Sequence, residues 1–403
     1  MTTYRDVLRQ KEMPAIYSAH AVSLLGSVAA EVALSVLIYR QTQSPLLSSL
    51  TLACAFVPQA FSAIVLSGVV DRIPARRLLV TVDLLCAVLV AGMTVDGAPV
   101  AVLLLLAAGI GLVSPLFGGA RSAALADVLE GELWVRARSM MRVLSQTALL
   151  LGFAVGGLLL TVVSPRVLLV ADAVSFVVSA LVLRLGTGHR PARGGKKARV
   201  ALGATSRALR DPTLRPLLLM TWLPSACVSS IDALATPYAS PDTTAIGLLL
   251  AAAAVGSIVC ELLGRRVTRE RLVASVSGLG LLAFAFHPAV WLAIPIAVVA
   301  MQGGAIGQLL DGRILAHVDP EDRGQLLALQ GGLLMGIQGA GIALAGALAE
   351  VWPPYAVLAG FGVVDLLCVW TLLRPDRPGD PAAGLAGVSG ADVRGTAGEE
   401  RSS

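Results

Sequence analysis

Long apolar runs separated by short polar gaps recur twelve times along this 403-residue chain. They lie near 15–39, 45–70, 78–96, 99–119, 140–163, 167–185, 216–236, 244–263, 272–286, 288–310, 325–349 and 353–373. Each is close to the roughly 20 residues that an α-helix needs to cross a hydrocarbon core of about 30 Å. Val100 to Val113 and Gly247 to Val259 are apolar on every face, whereas a transmembrane barrel would alternate in polarity over segments of about 10 residues. The pattern therefore predicts an all-α polytopic membrane protein with twelve transmembrane helices and excludes a barrel. Only His287 and Pro288 divide the ninth run from the tenth. Two spans are expected there, because losing one would carry the Arg374 end to the opposite side.

Charge sets the expected orientation. Of 31 Lys and Arg residues, only Arg40 and Arg166 fall in gaps of the opposite parity from the rest. Cationic loops stay on the cytoplasmic side of a membrane. A cell-membrane protein with both termini cytoplasmic is thus expected, with residues 1–14 as a retained cytoplasmic N-terminus. The longest inner gap, 186–215, is rich in Gly, Arg and Lys and reads as a basic linker between a six-helix bundle at 15–185 and another at 216–373. Its second part, Ala201 to Leu209, has the pattern of a surface-lying helix. Residues 374–403, rich in Pro, Gly and Asp, are expected to be a disordered cytoplasmic tail.

Composition narrows the class further. With 56% apolar and 14% charged residues and a mean hydropathy of +0.79, the chain is too apolar for a soluble fold. The net charge of +5 follows from the topology, which makes anionic lipid in the bilayer its counterpart and not nucleic acid. Cys54, Cys86, Cys227, Cys260 and Cys368 all fall inside apolar runs without CxxC spacing, so they are expected as packing residues. No metal or cofactor is expected. Four scattered His residues, with no HExxH or GxSxG, argue against a membrane-embedded enzyme, and no GxxxxGK[ST] phosphate loop occurs.

Acids inside spans carry the most chemical information. A charged side chain at the bilayer centre costs about 2.5–3.5 kcal/mol on insertion scales, so such residues usually face a cavity on an ion or substrate path. Glu31 stands on a stripe of the first span with Ser23, Ser27 and Ser35, each four residues apart and so on one helix face. Ser225, Ser229, Asp232 and Thr236 make a comparable stripe on the seventh span, its counterpart in the second half. The expected cavity residues are Glu31, Ser27, Ser35, Gln59, Ser229, Asp232 and Gln302. The bland alternative places Glu31 and Asp232 near the outer surface, hydrated or paired with Arg40 or Arg166. Asp83, Asp172 and Asp365 are expected to pair with nearby Arg.

Gly68 to Arg77, between the second and third spans, has a Gly shortly before Asp71-Arg72 and then a basic pair, Arg76-Arg77. It resembles the signature loop of the major facilitator superfamily. That likeness, with Ser23 to Gly26, Tyr39 to Thr42, Pro58, Asp83 and Arg121-Ser122-Ala123, is similar to the branch that includes macrolide and siderophore exporters. Gly152 to Gly157 in the fifth span is similar to the antiporter motif of such exporters, with Phe153 where that motif has Pro; Gly152, Gly156 and Gly157 are also candidates for close helix packing. The run after the tenth span, Gly312 to Asp319, faintly echoes Arg121 to Asp127.

The resemblance implies two pseudo-symmetric six-helix bundles in a monomer. It implies a cytoplasmic gate of Asp71, Arg72, Arg76 and Arg121. It further implies proton-coupled export of a small amphipathic organic cargo, a drug, siderophore or secondary metabolite, by alternating access. Proton-coupled import and a permease subunit of an ATP-driven system remain as alternatives.

Overall fold

The computed structural model describes residues 4–65, 72–129, 131–190, 210–264, 270–303 and 323–372, with the single positions 310, 314 and 317. After a short helical turn, Tyr4–Leu8, helices occupy all twelve apolar runs. They are α1 Met13–Thr42, α2 Pro45–Val65, α3 Ala75–Met93, α4 Val100–Val128, α5 Gly131–Leu159, α6 Pro165–Gly186, α7 Leu214–Ala239, α8 Thr243–Gly264, α9 Glu270–Leu282, α10 Val290–Ala300, α11 Arg323–Leu348 and α12 Pro354–Leu372. Eight of these are long and apolar enough to cross a membrane: α1, α2, α4 to α7, α11 and α12. The signature segment from 66 to Asp71, the linker from 191 to 209 with its expected surface helix, nearly all of the Gly312 to Asp319 echo, and the tail from 373 lie outside the described residues.

The helix ends follow local chemistry. Proline opens α2, α6 and α12 and immediately precedes α3 and α4, where its missing N–H would have had no intrahelical partner. Gln43 ends α1 in the left-handed region, its N–H donating to the Tyr39 carbonyl at 2.8 Å. The ninth and tenth runs are separate helices. His287 has φ 49° and closes a 3₁₀ turn, Ala283–Phe286, after which the chain reverses so that Gly280 packs on the backbone of Ala300.

The two halves repeat one packing scheme. In the first, α1 packs on α5 and α6, α2 on α4, and α3 on α4 and α6; adding six to each number gives the second, in which α7 packs on α11 and α12, α8 on α10, and α9 on α10 and α12. Two further pairs, α2 with α11 and α5 with α8, join the halves and exchange under the same two-fold relation. This is the parallel-repeat arrangement of two bundles about an axis along the membrane normal.

Small residues set how closely the helices approach. A Cβ on Gly152 would lie 2.7 Å from the Val28 Cβ, and one on Gly156 would lie 2.9 Å from the Ala29 Cα, so α5 meets α1 almost backbone to backbone. Gly157 does the same against α8, where its Cβ would lie 2.7 Å from the Gly247 Cα. Gly339 and Gly341 on α11 make equivalent approaches to Val57 and Ala226. Cys86 and Cys227 are buried packing residues; the side chain of Cys260 lies outside what is described.

Buried acids hold the helices laterally. Ser179 on α6 donates to Asp83 on α3 at 2.7 Å, and Ser277 on α9 donates to Asp365 on α12 at 2.6 Å. The two bonds join pseudo-equivalent helix pairs with donor and acceptor exchanged. For each acid a serine hydroxyl supplies the hydrogen bond that burial demands, and Asp83 lines a small cleft together with Arg121. Outside the spans, Arg190 donates twice to the carboxylate of Glu12, both at 2.8 Å, and fastens the start of α1 to the segment after α6. Those bonds hold the Glu12 carboxyl below its ordinary value of 4.5.

Candidate functional site

A cavity of about 320 Å³ lies within the first half and meets the second at Asp232 and Leu250, its volume within the range of about 300–1,000 Å³ typical of small-molecule sites. α1 contributes His20, Ser23, Ser27 and Glu31, one face extended back by three residues from the predicted stripe. Asp232 enters from α7, Gln59 from α2, and Ser114 and Arg121 from α4. Aliphatic side chains and the rings of Phe56, Phe117, Phe153 and Phe176 complete the wall. At ~1.5 Å per residue, Glu31 stands roughly 16 Å from the Thr42 end of α1, close to mid-depth of the bilayer.

The cavity is sealed toward the end of the bundle that bears the α1–α2, α7–α8 and α11–α12 connections, called here the distal end. Ser35 hydrogen-bonds Thr236 across the halves at 2.7 Å and Ser48 at 2.9 Å. Beside it α5 and α8 cross at Gly157 and Gly247. Above, Glu350 in the α11–α12 connection accepts hydrogen bonds from the Ser44 hydroxyl and, at 3.0 Å, from the Leu46 N–H at the start of α2. That carboxylate caps the positive end of a helix belonging to the other half.

Among the described residues neither Glu31 nor Asp232 makes a side-chain hydrogen bond or ion pair, and both line this cavity. Arg166, one of the two cations offered as neutralising partners, is paired with Asp96. Asp232 lies in the first turn of the second segment of α7, Ser230–Ala239, after an interruption at Ser229 between Pro224 and Pro237. The N-terminal dipole of that segment favours negative charge there, and interrupted helices of this kind commonly form transporter sites.

The structure distributes the remaining candidates differently. Ser27 lines the cavity and donates to the Ser23 carbonyl at 2.9 Å and to Asp172 at 3.3 Å. Ser35 belongs to the distal seal. Ser229 is buried and donates to the Ser225 carbonyl at 2.8 Å. Gln302 follows α10, donates to the Val298 carbonyl at 3.1 Å, and is not part of the cavity wall. Of the expected gate, Asp71 lies outside the described residues and Arg72 is exposed. Arg76 donates to the Arg184 carbonyl at the end of α6, where a cation complements the helix dipole. Arg121 is turned into the cavity: it contacts His20 Nδ1, donates to the Phe117 carbonyl at 3.2 Å, and lies 5.9 Å from the centre of the Phe117 ring. Arg76 and Arg121 thus serve different partners.

Two residues have partners that the sequence did not indicate. His20 is bound on both ring nitrogens, by Arg121 and, at 2.8 Å, by Ser145; its place three residues before Ser23 on the same face was the available signal. Asp172 sits directly behind Ser27 and also accepts from Ser175 at 3.2 Å. Gly26 makes room for it, since a Cβ there would lie 2.7 Å from Asp172 Oδ1.

A family model described as Major Facilitator Superfamily matches residues 16–310. No curated protein matches the sequence. Among solved structures, the nucleoside transporter NupG aligns with a TM-score of 0.66 at 13% identity, covering 90% of this chain and 99% of that one. The peptide transporter POT in complex with sulfate aligns with a TM-score of 0.68 at 13% identity, covering 92% of this chain and 95% of that one. At such identity the likeness concerns the fold.

Proposed function

Since this chain belongs to the Major Facilitator Superfamily and is a membrane transporter rather than an enzyme, we propose that it exports a small amphipathic organic molecule in exchange for protons by alternating access. The observation that carries this reading is the cavity, closed at the distal end by the Ser35–Thr236 bond, with two carboxylates in its wall that make no hydrogen bond or ion pair among the described residues. The positive-inside pattern supports cytoplasmic termini in a cell membrane, so the state described is one that admits cargo from the cytoplasm. Glu31 is the principal proton site, because it combines mid-membrane depth with direct exposure to the cavity.

In this mechanism the halves rock about the α2–α11 and α5–α8 contacts. The Ser35–Thr236 bond and the Glu350 cap part as the distal side opens, Glu31 takes a proton from outside, and the cargo leaves. The return to the present state exposes Glu31 to the cytoplasm, where it gives up the proton and cargo binds again. A monomer suffices, since one chain supplies the cavity lining, Asp232 and Leu250 of the second half included.

Purified protein in lipid vesicles, with an internal pH dye and an imposed cargo gradient, tests the scheme. Protons are expected to move opposite to cargo, and Glu31→Gln should slow that exchange at least tenfold. Equal exchange by both proteins would remove Glu31 from the mechanism; protons and cargo moving the same way would make the protein an importer. Dissipating the proton gradient should stop uphill transport. ATP depletion with the gradient clamped should not, and an ATP requirement would favour a permease subunit of an ATP-driven system.

A further inference from the structure

We infer that the outer side of the second half carries a seat for one acyl chain of a phospholipid in the distal leaflet, in a furrow between α11 and α12. The seat is separate from the transport cavity and does not depend on what is carried there.

α11 and α12 follow each other in the chain but pack on other helices, α11 on α2 and α7 and α12 on α9 and α7. Between them is left a furrow of about 450 Å³, walled by Leu344 and Leu348 of α11 and by Trp352 and Val364, with the buried Val357 and Phe361 of α12 at its base. At Gly360 the base is bare: a Cβ there would meet no atom within 4 Å. Leu344, Trp352 and Val364 are about half exposed, so the furrow opens sideways, and none of its residues belongs to the wall of the cavity that holds Glu31.

Its chemistry selects a hydrocarbon occupant. Every lining side chain is apolar apart from the indole N–H of Trp352. Water needs about two to four polar partners to settle in such a space and finds too few, while an empty furrow forfeits the dispersion contacts of its lining. Trp352 lies in the α11–α12 connection, where an amphipathic ring suits the level of the lipid headgroups. The headgroup itself is not held by charge, since residues 325–373 contain no Lys or Arg to engage a phosphate.

Its length selects a lipid chain over a second copy of the protein. Val364 lies roughly 15 Å along α12 from Pro354 at ~1.5 Å per residue, half of a hydrocarbon core of about 30 Å. The furrow therefore serves a single leaflet and stops near the middle of the bilayer, where an acyl chain also ends. A transmembrane helix of another copy would run on past that point, where Leu367 and Trp370 stand exposed and the furrow has no lining. A chain seated there supplies the side packing that α11 and α12 do not give each other.

Photolabelling tests the seat on the full chain in nanodiscs of phosphatidylcholine, with a trace of phosphatidylcholine bearing a diazirine midway along one acyl chain and labelled peptides read by mass spectrometry. Residues 344–364 are expected to take at least fivefold more label per exposed residue than Val170 and Val174, which are exposed on α6 at a similar distance from its Pro165 end. Gly360→Leu, whose side chain grows into open space, should cut the label at 344–364 at least fivefold and leave that on α6 unchanged. Should this variant fail to fold, the comparison of the two faces in the wild-type protein still decides. Label at 344–364 no higher than on α6, or indifferent to Gly360→Leu, would overturn the proposal; if that face is protected and each nanodisc holds two chains, a second copy fills the furrow instead.

Discussion

Asp172 shows how a single glycine admits a buried carboxyl group. Its Oδ1 accepts from Ser27 at 3.3 Å and from Ser175 at 3.2 Å, and the α1 backbone at Gly26 lies against both. Gly26→Ala is expected to destabilise the protein by about 1–3 kcal/mol, the usual cost of overpacking, read as a lowered thermal midpoint in detergent. An unchanged midpoint would mean that α1 and α6 have slack there. Glu12 and Arg190 make a contrasting case at the surface. Arg190 holds the Glu12 carboxyl below 4.5, so the pair contributes fully above that value and its contribution is lost as pH falls through the lowered folded-state value. With both side chains partly exposed, the contribution is a few tenths to about 1 kcal/mol. Glu12→Gln should therefore lower the thermal midpoint slightly at pH 7 and leave it unchanged in acid below the lowered value.

At the scale of helices, the α5–α8 crossing keeps the distal end closed because neither Gly157 nor Gly247 has a side chain. A Cβ on Gly157 would stand 2.5 Å from the Thr243 carbonyl oxygen, a backbone atom that cannot step aside without moving α8. Gly157→Ala is expected to part the halves at that end, lengthening the separation of spin labels placed at Gln43 and Ser240, both exposed. A distance distribution identical to that of the parent would show that the seal does not depend on this crossing. The glycine spacing was visible in the sequence. Which neighbour each glycine meets was not, since small residues four apart serve any close pair of helices: Gly152 and Gly156 face α1, while Gly157, one residue on, faces the other half.

For the whole molecule, alternating access requires that the contacts holding the distal end be few and reversible. Glu350 bridges the halves through Ser44 and the start of α2 with a single carboxylate. Glu350→Ala should raise the population with the distal end open severalfold, measured with the same pair of labels, and leave cargo affinity in the closed state unchanged. An unaltered population would reduce this contact to a surface decoration.

The sequence by itself determined the class, the number of spans and the expected sidedness, because burying backbone in hydrocarbon admits few solutions and each leaves a long apolar signature. It also marked Glu31 and Asp232, since an acid inside such a run is conspicuous. Only the tertiary structure decided which polar groups meet. Ser27, Glu31, Gln59 and Asp232 line one cavity, Ser35 joins the seal instead, and Arg121 turns to His20 on a helix a hundred residues away. Periodicity fixes the face of a helix on which a residue lies, but the partner of that face is set by how twelve similar apolar cylinders pack against one another. Among such helices, small residues and a few hydrogen bonds make the choice.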